Sequence, residues 1–181
     1  MNIKVLGPSW IHADQVELYA NGQRIRQRSI KPGATIVKAD VTWRLAKPAY
    51  DLHLVAIATG PGIDAPFWDI PRSYQPKWKR HVPRVQGATN PVWIDADGDG
   101  RHTPPREYAR REIRRAKGLV AKVIGALKSY DQAVAAQAAS LLHENGYDPR
   151  SGTLGQVLKQ ASSVVRAGFD SYAATLPSVK K

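Results

Sequence analysis

The chain has no cysteine and no long apolar run among its 181 residues. The lack of cysteine excludes disulfides, zinc sites built from thiolates, and cysteine nucleophiles. No segment approaches the roughly eighteen consecutive apolar residues of a membrane span, and the first twenty residues do not have the pattern of a signal peptide. We therefore expect no membrane partner, and the cellular compartment stays unknown.

Acidic residues are scarce. The chain has 15 Asp and Glu against 27 Lys and Arg, which gives a formal charge of +12 and an isoelectric point near 10.1. Such an excess of cations favours nucleic acid, an anionic surface or an acidic protein as a partner. The cations are scattered over many segments, however, and no groove-reading motif accompanies them. Nucleic acid is therefore a disfavoured partner, although the positive charge is compatible with it.

Motifs of metal-dependent and nucleophilic catalysis are also missing. The five histidines, at positions 12, 53, 81, 102 and 143, form neither a His-x-His pair nor a His-Glu-x-x-His motif. There is no Gly-x-Ser-x-Gly elbow and no phosphate-binding glycine loop. The sequence thus names no catalytic residue, and we expect this chain not to be an enzyme by itself.

Residues 1–60 carry the alternating pattern of a small β domain. Asn21-Gly22 is the favoured dipeptide of a two-residue hairpin turn, and 43% hydrophobic residues suffice for a core. The predicted strands are Ile3–Leu6, a strand around Val16 and Leu18, Gln23–Ile30, Thr35–Leu45 and Tyr50–Thr59. Five strands at spacings of about eight to twelve residues predict an antiparallel immunoglobulin-like β-sandwich.

Residues 61–103 are expected to form a clasp rich in proline and aromatic residues, followed by a final strand at Trp93. Between Gly60 and Pro91 stand six prolines, three glycines and four aromatic residues, a composition that predicts an ordered loop. Its ring side chains Trp68, Tyr74 and Trp78 are expected to pack against the rest of the protein. The alternative is a ligand-binding platform that stacks carbohydrate rings or nucleic-acid bases.

Residues 104–176 have helical periodicity and predict an all-α bundle of four helices, followed by a frayed tail at 177–181. Thr103 is the predicted N-cap of the first helix, which runs to Lys117. The other predicted helices are Leu119–Tyr130, Asp131 to a C-cap at Gly146, and a final helix from an N-cap at Thr153 through Tyr172. The expected fold class is therefore α+β, with the sheet domain before the helices.

The first of these helices is strongly basic. Arg110, Arg111 and Arg114 could bind an anion such as a phosphate chain. Acidic residues stand three or four positions from several of these arginines, at the spacing that forms ion pairs along a helix. A solvated helix with internal ion pairs is the favoured interpretation, and an anion-binding surface is the alternative.

The segment NPVWIDADGDGRHTPPREY carries the most specific motif. Asp95, Asp97 and Asp99 followed by Gly100 match positions 1, 3, 5 and 6 of the loop that binds calcium through about six to eight oxygens. In that pattern Arg101 contributes its backbone carbonyl, and Thr103 its hydroxyl or a bridging water. The residue types and spacing predict a bound calcium ion.

The closing ligand of this loop departs from the standard pattern. Position 12 of an EF-hand is a bidentate glutamate, whereas here it is Arg106, and the nearest acid is Glu107, one residue later. An exposed acidic turn or an arginine-paired loop is the alternative, because Asp and Gly favour turns without any metal. A lone site has no paired loop whose helices it could open, so we expect a structural ion and not a sensor.

The succession VELYANG, DLHLVAIATGPG, PFWDIPRSYQP and TNPVWIDADGDGRHTPPREYAR, from about Val16 to Gly146, resembles the C-terminal region of CehA/McbA-type metallohydrolases with a PHP domain. In that family the catalytic metal is bound by a barrel whose ligands begin with a His-x-His pair, and this chain contains neither the barrel nor its metal ligands. The resemblance implies a noncatalytic accessory module whose partner is the N-terminal catalytic domain of the same parent protein. A carbohydrate- or nucleic-acid-binding module is the alternative.

The strand predicted at Ile3–Leu6 begins almost at the initiator methionine. Such an early start suggests a segment of a longer protein, with a complete short protein as the alternative.

Overall fold

The computed structural model describes residues 1–61 and 84–177 and combines antiparallel sheets with five α-helices. The predicted α+β class is confirmed. The strands in these ranges are β1 (Asn2–Leu6), β2 (Gln15–Ala20), β3 (Gln23–Ser29), β4 (Val37–Thr42), β5 (Leu52–Pro61), β6 (Arg84–Ala88) and β7 (Val92–Ile94). The helices are α1 (Pro105–Arg115), α2 (Val120–Ala126), α3 (Gln132–Glu144), α4 (Gly152–Lys159) and α5 (Ser163–Thr175).

The chain divides into two compact units. The first unit comprises residues 1–47 and 53–93, and the second comprises residues 48–52 and 94–181. The short segment 48–52 therefore belongs with the helices, although it lies between two strands of the first unit in the sequence.

Two antiparallel sheets make up the described part of the first unit. In one, β2 and β5 are central, with β3 beside β2 and both β6 and β7 paired to β5. In the other, β1 pairs with β4. Along β2, Val16 and Leu18 are fully buried, and Val41 of β4 is also buried. These apolar residues form the core of the unit.

The hairpin between β2 and β3 turns at the residues that the sequence indicates. Asn21 and Gly22 both have positive φ, at 46° and 82°, which matches the twist that a two-residue hairpin needs. The Asn21 side chain also accepts a hydrogen bond from the backbone N–H of His53, at 3.1 Å. The turn is thereby attached to the start of β5.

Strand β6 lies within residues for which the composition predicts a loop, and that prediction is wrong over Arg84–Ala88. Its backbone pairs with the end of β5, from Ile57 opposite Ala88 to Pro61 opposite Arg84. The local proline and glycine content gives no signal for this strand, because its partner strand is a separate segment earlier in the chain. Long-range hydrogen bonding thus overrides local propensity.

The helices of the second unit surround one hydrophobic core. Phe169, Leu127 and Leu142 are its largest fully buried side chains, and α3 lies along α5. A short 3-10 turn at Leu127–Ser129 continues α2, as the predicted helix Leu119–Tyr130 suggests. These contacts bury the apolar stripes that define the helices in the sequence.

The number of helices and two of their N-caps differ from the prediction. The predicted final helix is two helices, because the chain leaves helical geometry after Gln160 and Ser162 caps α5 by accepting from the N–H of Val165. Ser151, and not Thr153, caps α4 in the same way, and Pro104 holds the N-cap position that the sequence predicts for Thr103. Serine competes effectively for the N-cap because its hydroxyl reaches a free N–H group.

The end of α3 matches the prediction at Gly146. Gly146 has a φ of 89° and donates to the carbonyl of His143, while Tyr147 donates to that of Leu142. This is the Schellman arrangement, in which a left-handed residue after the helix satisfies its last carbonyls.

We predict opposite effects for two glycine-to-alanine substitutions in this unit. A Cβ on Gly168 of α5 would lie 2.5 Å from the Cβ of Ala135 and 2.8 Å from the carbonyl of Gln132, so Gly168→Ala should destabilise by about 1–3 kcal/mol. A Cβ on Gly155 of α4 meets nothing within 4 Å, so Gly155→Ala should stabilise by about 0.5–1 kcal/mol. Denaturant unfolding measures both, and equal effects would contradict the close approach of α3 and α5.

Candidate functional site

The aspartate loop that follows β7 is organised by Asp95. One carboxylate oxygen of Asp95 accepts the N–H of Gly98 at 2.6 Å, and the other accepts the N–H of Gly100 at 2.8 Å. Both glycines have a φ of 77°, a conformation that costs little without a side chain. These backbone hydrogen bonds favour the charged carboxylate, so they lower the pKa of Asp95 below its usual value.

Asp97 and Asp99 make similar contacts over a shorter range. Asp97 accepts from the N–H of Asp99 at 3.3 Å, and Asp99 accepts from the N–H of Arg101 at 2.8 Å. Each is the turn in which an aspartate caps the backbone two residues later. The loop is therefore held by its own carboxylates.

Asp51 is the site residue that the loop motif does not reveal. Its side chain is fully buried, and its carboxylate accepts two backbone hydrogen bonds at 2.8 Å, from the N–H of Ala96 and from that of Thr103. The two donors lie near the two ends of the aspartate loop. Asp51 thus holds the beginning and the end of the loop with one charged group.

Aromatic side chains position Asp51 from the other side. Its backbone N–H donates to the hydroxyl of Tyr108 in α1 at 3.0 Å. The rings of Tyr50, Tyr108 and Tyr130 lie 5.3–5.9 Å apart, within the range of favourable aromatic contacts. Burial raises the pKa of Tyr108 and of Tyr50, so both hydroxyls stay protonated over the physiological range. Asp51 is therefore fixed by neutral, closely packed groups.

Three carboxylates converge at this point. Asp51, Asp95 and Asp97 each place one oxygen within 4.8 Å of the others, and Asp95 and Asp97 are exposed whereas Asp51 is buried. Like charges at this distance repel one another, and no lysine or arginine side chain forms an ion pair with any of them within residues 1–61 and 84–177. A cation between the carboxylates would remove that repulsion.

The other predicted calcium ligands, Asp99, Thr103 and Glu107, are not members of this carboxylate cluster. Asp99 is not one of the three converging carboxylates. Thr103 is buried and donates its backbone N–H to Asp51, while its hydroxyl lies 3.5 Å from a guanidinium nitrogen of Arg111. Glu107 forms an ion pair with Arg110. The predicted closing acid Glu107 is thus paired with Arg110, whereas Asp51 lies with Asp95 and Asp97.

The basic helix is largely engaged in contacts within the chain. Arg110 pairs with Glu107, and the guanidinium of Arg111 lies 5.3 Å from the centre of the Tyr108 ring, a cation–π distance. Arg114 is exposed. A binding role for these arginines stays a prediction.

The predicted stacking residues Trp68, Tyr74 and Trp78 lie outside the described residues. Their packing role and the alternative of a ligand-binding platform both stay predictions.

A local signal for Asp51 exists in the sequence, although it is weak. Asp51 directly precedes the nearly continuous apolar strand β5, in the run YDLHLVAIA, where an unpaired carboxylate would be costly. An acid in such a position needs donors from elsewhere in the chain. The sequence does not say which donors, because Ala96 and Thr103 are 45 and 52 residues away.

Comparison of the chain with protein-family models, curated proteins and solved structures finds no match in any of the three. The resemblance to the CehA/McbA region therefore stays a prediction that rests on the quoted motifs. Among the described helices, none has the length and apolarity to span a membrane.

We predict that Asp51→Asn destabilises the protein even in the presence of a chelator. Asparagine keeps one oxygen acceptor but turns an N–H donor toward Ala96 or Thr103, which leaves a buried amide unsatisfied at a cost of about 3 kcal/mol. The control is Asp148→Asn, because Asp148 accepts from the N–H of Arg150 in an exposed turn. Urea unfolding should separate the two variants clearly, and equal stabilities would contradict the role of Asp51.

Proposed function

We propose that this chain is a noncatalytic accessory module that binds a structural calcium ion through Asp51, Asp95 and Asp97. The observation that carries the proposal is the convergence of a buried carboxylate with two carboxylates of a calcium-type loop. Asp51 is distant in sequence and satisfies the loop backbone, so its position does not follow from the loop motif. It adds a third possible ligand from outside the loop.

The chemistry of the cluster suits calcium. Calcium bonds to oxygen at about 2.3–2.6 Å, so two of its ligands can stand up to about 5 Å apart, and the three carboxylates lie within 4.8 Å of one another. Each carboxylate oxygen retains a lone pair beyond those used by backbone N–H groups. Asp99, the Arg101 carbonyl, Thr103 or water would complete the set of oxygens.

The ion would act on the stability of the loop. Asp95 and Asp97 are exposed and accept hydrogen bonds from backbone N–H groups of their own loop. Asp51, in contrast, connects the loop to Tyr108 of α1. A cation bound by all three would connect the exposed turn to the buried anchor. A fixed structural role follows, since the site is a single loop with no second loop to move against.

The architecture of each unit is part of the same proposal. We infer an immunoglobulin-like sandwich for the first unit, supported by its two antiparallel sheets and the buried residues Val16, Leu18 and Val41. We infer an all-α bundle for the second unit, supported by the core that its helices share.

The parent protein is proposed to be a metal-dependent hydrolase of the PHP type, with its catalytic domain as the partner of this module. The support is the order of the quoted motifs in the sequence, which ends in the aspartate loop. The catalytic metal belongs to that other domain, whereas the proposed calcium belongs to this chain.

We predict that calcium raises the melting temperature and that Asp97→Asn abolishes the increase. At a free concentration about one hundred times the dissociation constant, a ligand of the native state adds about 2.7 kcal/mol, or roughly 5–10 °C for a chain of this size. In chelator, Asp97→Asn should melt at or slightly above the wild-type temperature. The substitution removes one repelling charge and weakens only one backbone hydrogen bond, which is 3.3 Å long.

Differential scanning calorimetry in calcium and in chelator makes this measurement, with Asp148→Asn as the matched control that keeps the full increase. A wild-type protein with the same melting temperature in both solutions would contradict the calcium site. An Asp97→Asn protein with an undiminished increase would place the ion elsewhere.

We further predict no turnover of phosphate esters, amides or carbamates by this chain in the presence of zinc or manganese. The sequence contains no ligand set of the kind that begins the PHP metal centre. Product formation measured by chromatography tests this. Metal-dependent turnover that disappears in Asp95→Asn or His102→Ala would overturn the noncatalytic assignment, whereas the calcium measurement would stand independently.

A further inference from the structure

A cationic cleft lies between β3 and β4 in the first unit. Its volume is about 360 Å³, and it is lined by one arginine, two lysines, one aspartate and a serine above an apolar floor. The charged and polar lining residues are Arg28, Ser29, Lys31, Lys38 and Asp40. Three cations against one carboxylate leave the cleft with a formal charge of +2.

The cations of the cleft are poorly neutralised. Arg28 and Lys31 are exposed, and their side chains form no ion pair or hydrogen bond within the part of the chain that the structure describes. Lys38 donates to the carbonyl of Gly33 at 3.3 Å, which uses one of its three N–H groups. Asp40, the only acid among the described lining residues, is 3.7 Å from Lys4 and is therefore already paired.

The floor and walls of the cleft are fixed by the fold. Ile30 and Val41 are buried beneath it, and the N–H of Ile30 donates to the carbonyl of Asp14 at 2.7 Å. Strand β3 is the outermost strand at one side of its sheet, and β4 pairs only with β1 among the described strands. Both strands are thus sheet edges, with backbone groups that the sheets do not use.

Basic residues on an edge strand have an ordinary explanation, because they prevent edge-to-edge pairing with other chains. That role needs charge along the edge but does not need a concave volume with an apolar floor. It also does not explain why the one acid present is paired by a lysine from outside the cleft. The arrangement places two exposed cations, Arg28 and Lys31, on the lining of one recess.

We propose that this cleft binds a small ligand that carries a phosphate or sulfate group. A guanidinium presents paired N–H donors that match a tetrahedral oxyanion, and the two ammonium groups add charge without a fixed geometry. The Ser29 hydroxyl is a further donor, and the apolar floor suits the carbon part of a ligand. The proposal uses the first unit alone and does not depend on the calcium site.

The volume sets the size of the ligand. Clefts of about 300–1,000 Å³ hold small molecules, and 360 Å³ is at the lower end of that range. A sugar phosphate or a sulfated monosaccharide fits this size class. A polymer would leave most of its charges outside the cleft, so its binding would depend on the total charge of the protein and not on these residues.

Isothermal titration of the full chain with sodium pyrophosphate tests the proposal, with Arg28→Gln/Lys31→Gln as the cleft variant. The control Lys122→Gln/Lys128→Gln removes the same charge from exposed positions of the second unit. We expect binding to the wild type and the control, and at least a tenfold weaker affinity in the cleft variant. Circular dichroism should show that all three proteins are folded, since the four replaced side chains are exposed.

Titration with sodium sulfate at the same ionic strength shows whether the cleft prefers sulfate or phosphate groups. A preference for either anion supports the proposal if the cleft variant weakens the binding of that anion. Sodium chloride measures simple screening. An absence of binding to the wild type, or an equal weakening in the cleft variant and the control, would overturn the proposal. The second result would show that anions respond to the total charge of +12 and not to the cleft.

Discussion

The buried carboxylate of Asp51 is the group on which the candidate site depends. A charged group in a fully buried position is costly unless hydrogen bonds replace its hydration. Asp51 receives that replacement from the N–H groups of Ala96 and Thr103, both at 2.8 Å. Because those donors lie near the two ends of the aspartate loop, satisfying one carboxylate also determines where the loop begins and ends.

Contacts of Tyr50 and of the Asp51 backbone explain why segment 48–52 belongs with the helices. Tyr50 packs its ring with those of Tyr108 and Tyr130, and the backbone of Asp51 donates to the Tyr108 hydroxyl. The segment therefore supplies an aromatic group and an acid to the second unit from between β4 and β5. A cation at the loop would add to an anchor that the polypeptide already forms.

Local sequence is sufficient to predict some elements and not others. The Asn21-Gly22 turn and the helix end at Gly146 are predictable because positive φ at these positions has a local residue signal. Strand β6 is not, because its pairing with β5 is nonlocal, and the break before Ser162 is hidden because the apolar periodicity continues through it. The loop motif does not predict Asp51, because the motif covers only the spacing of the loop aspartates and Asp51 lies in a separate, earlier segment.

The most direct measurement of the central claim is amide hydrogen exchange at Ala96 and Thr103, followed by NMR in chelator and in calcium. We predict that both amides are protected in the wild type and that calcium slows their exchange further. Asp51→Asn should remove the protection of the amide that loses its acceptor oxygen, while the helices stay protected. Exchange at the rate of an unstructured peptide in the wild type, or rates that Asp51→Asn and calcium leave unchanged, would contradict it.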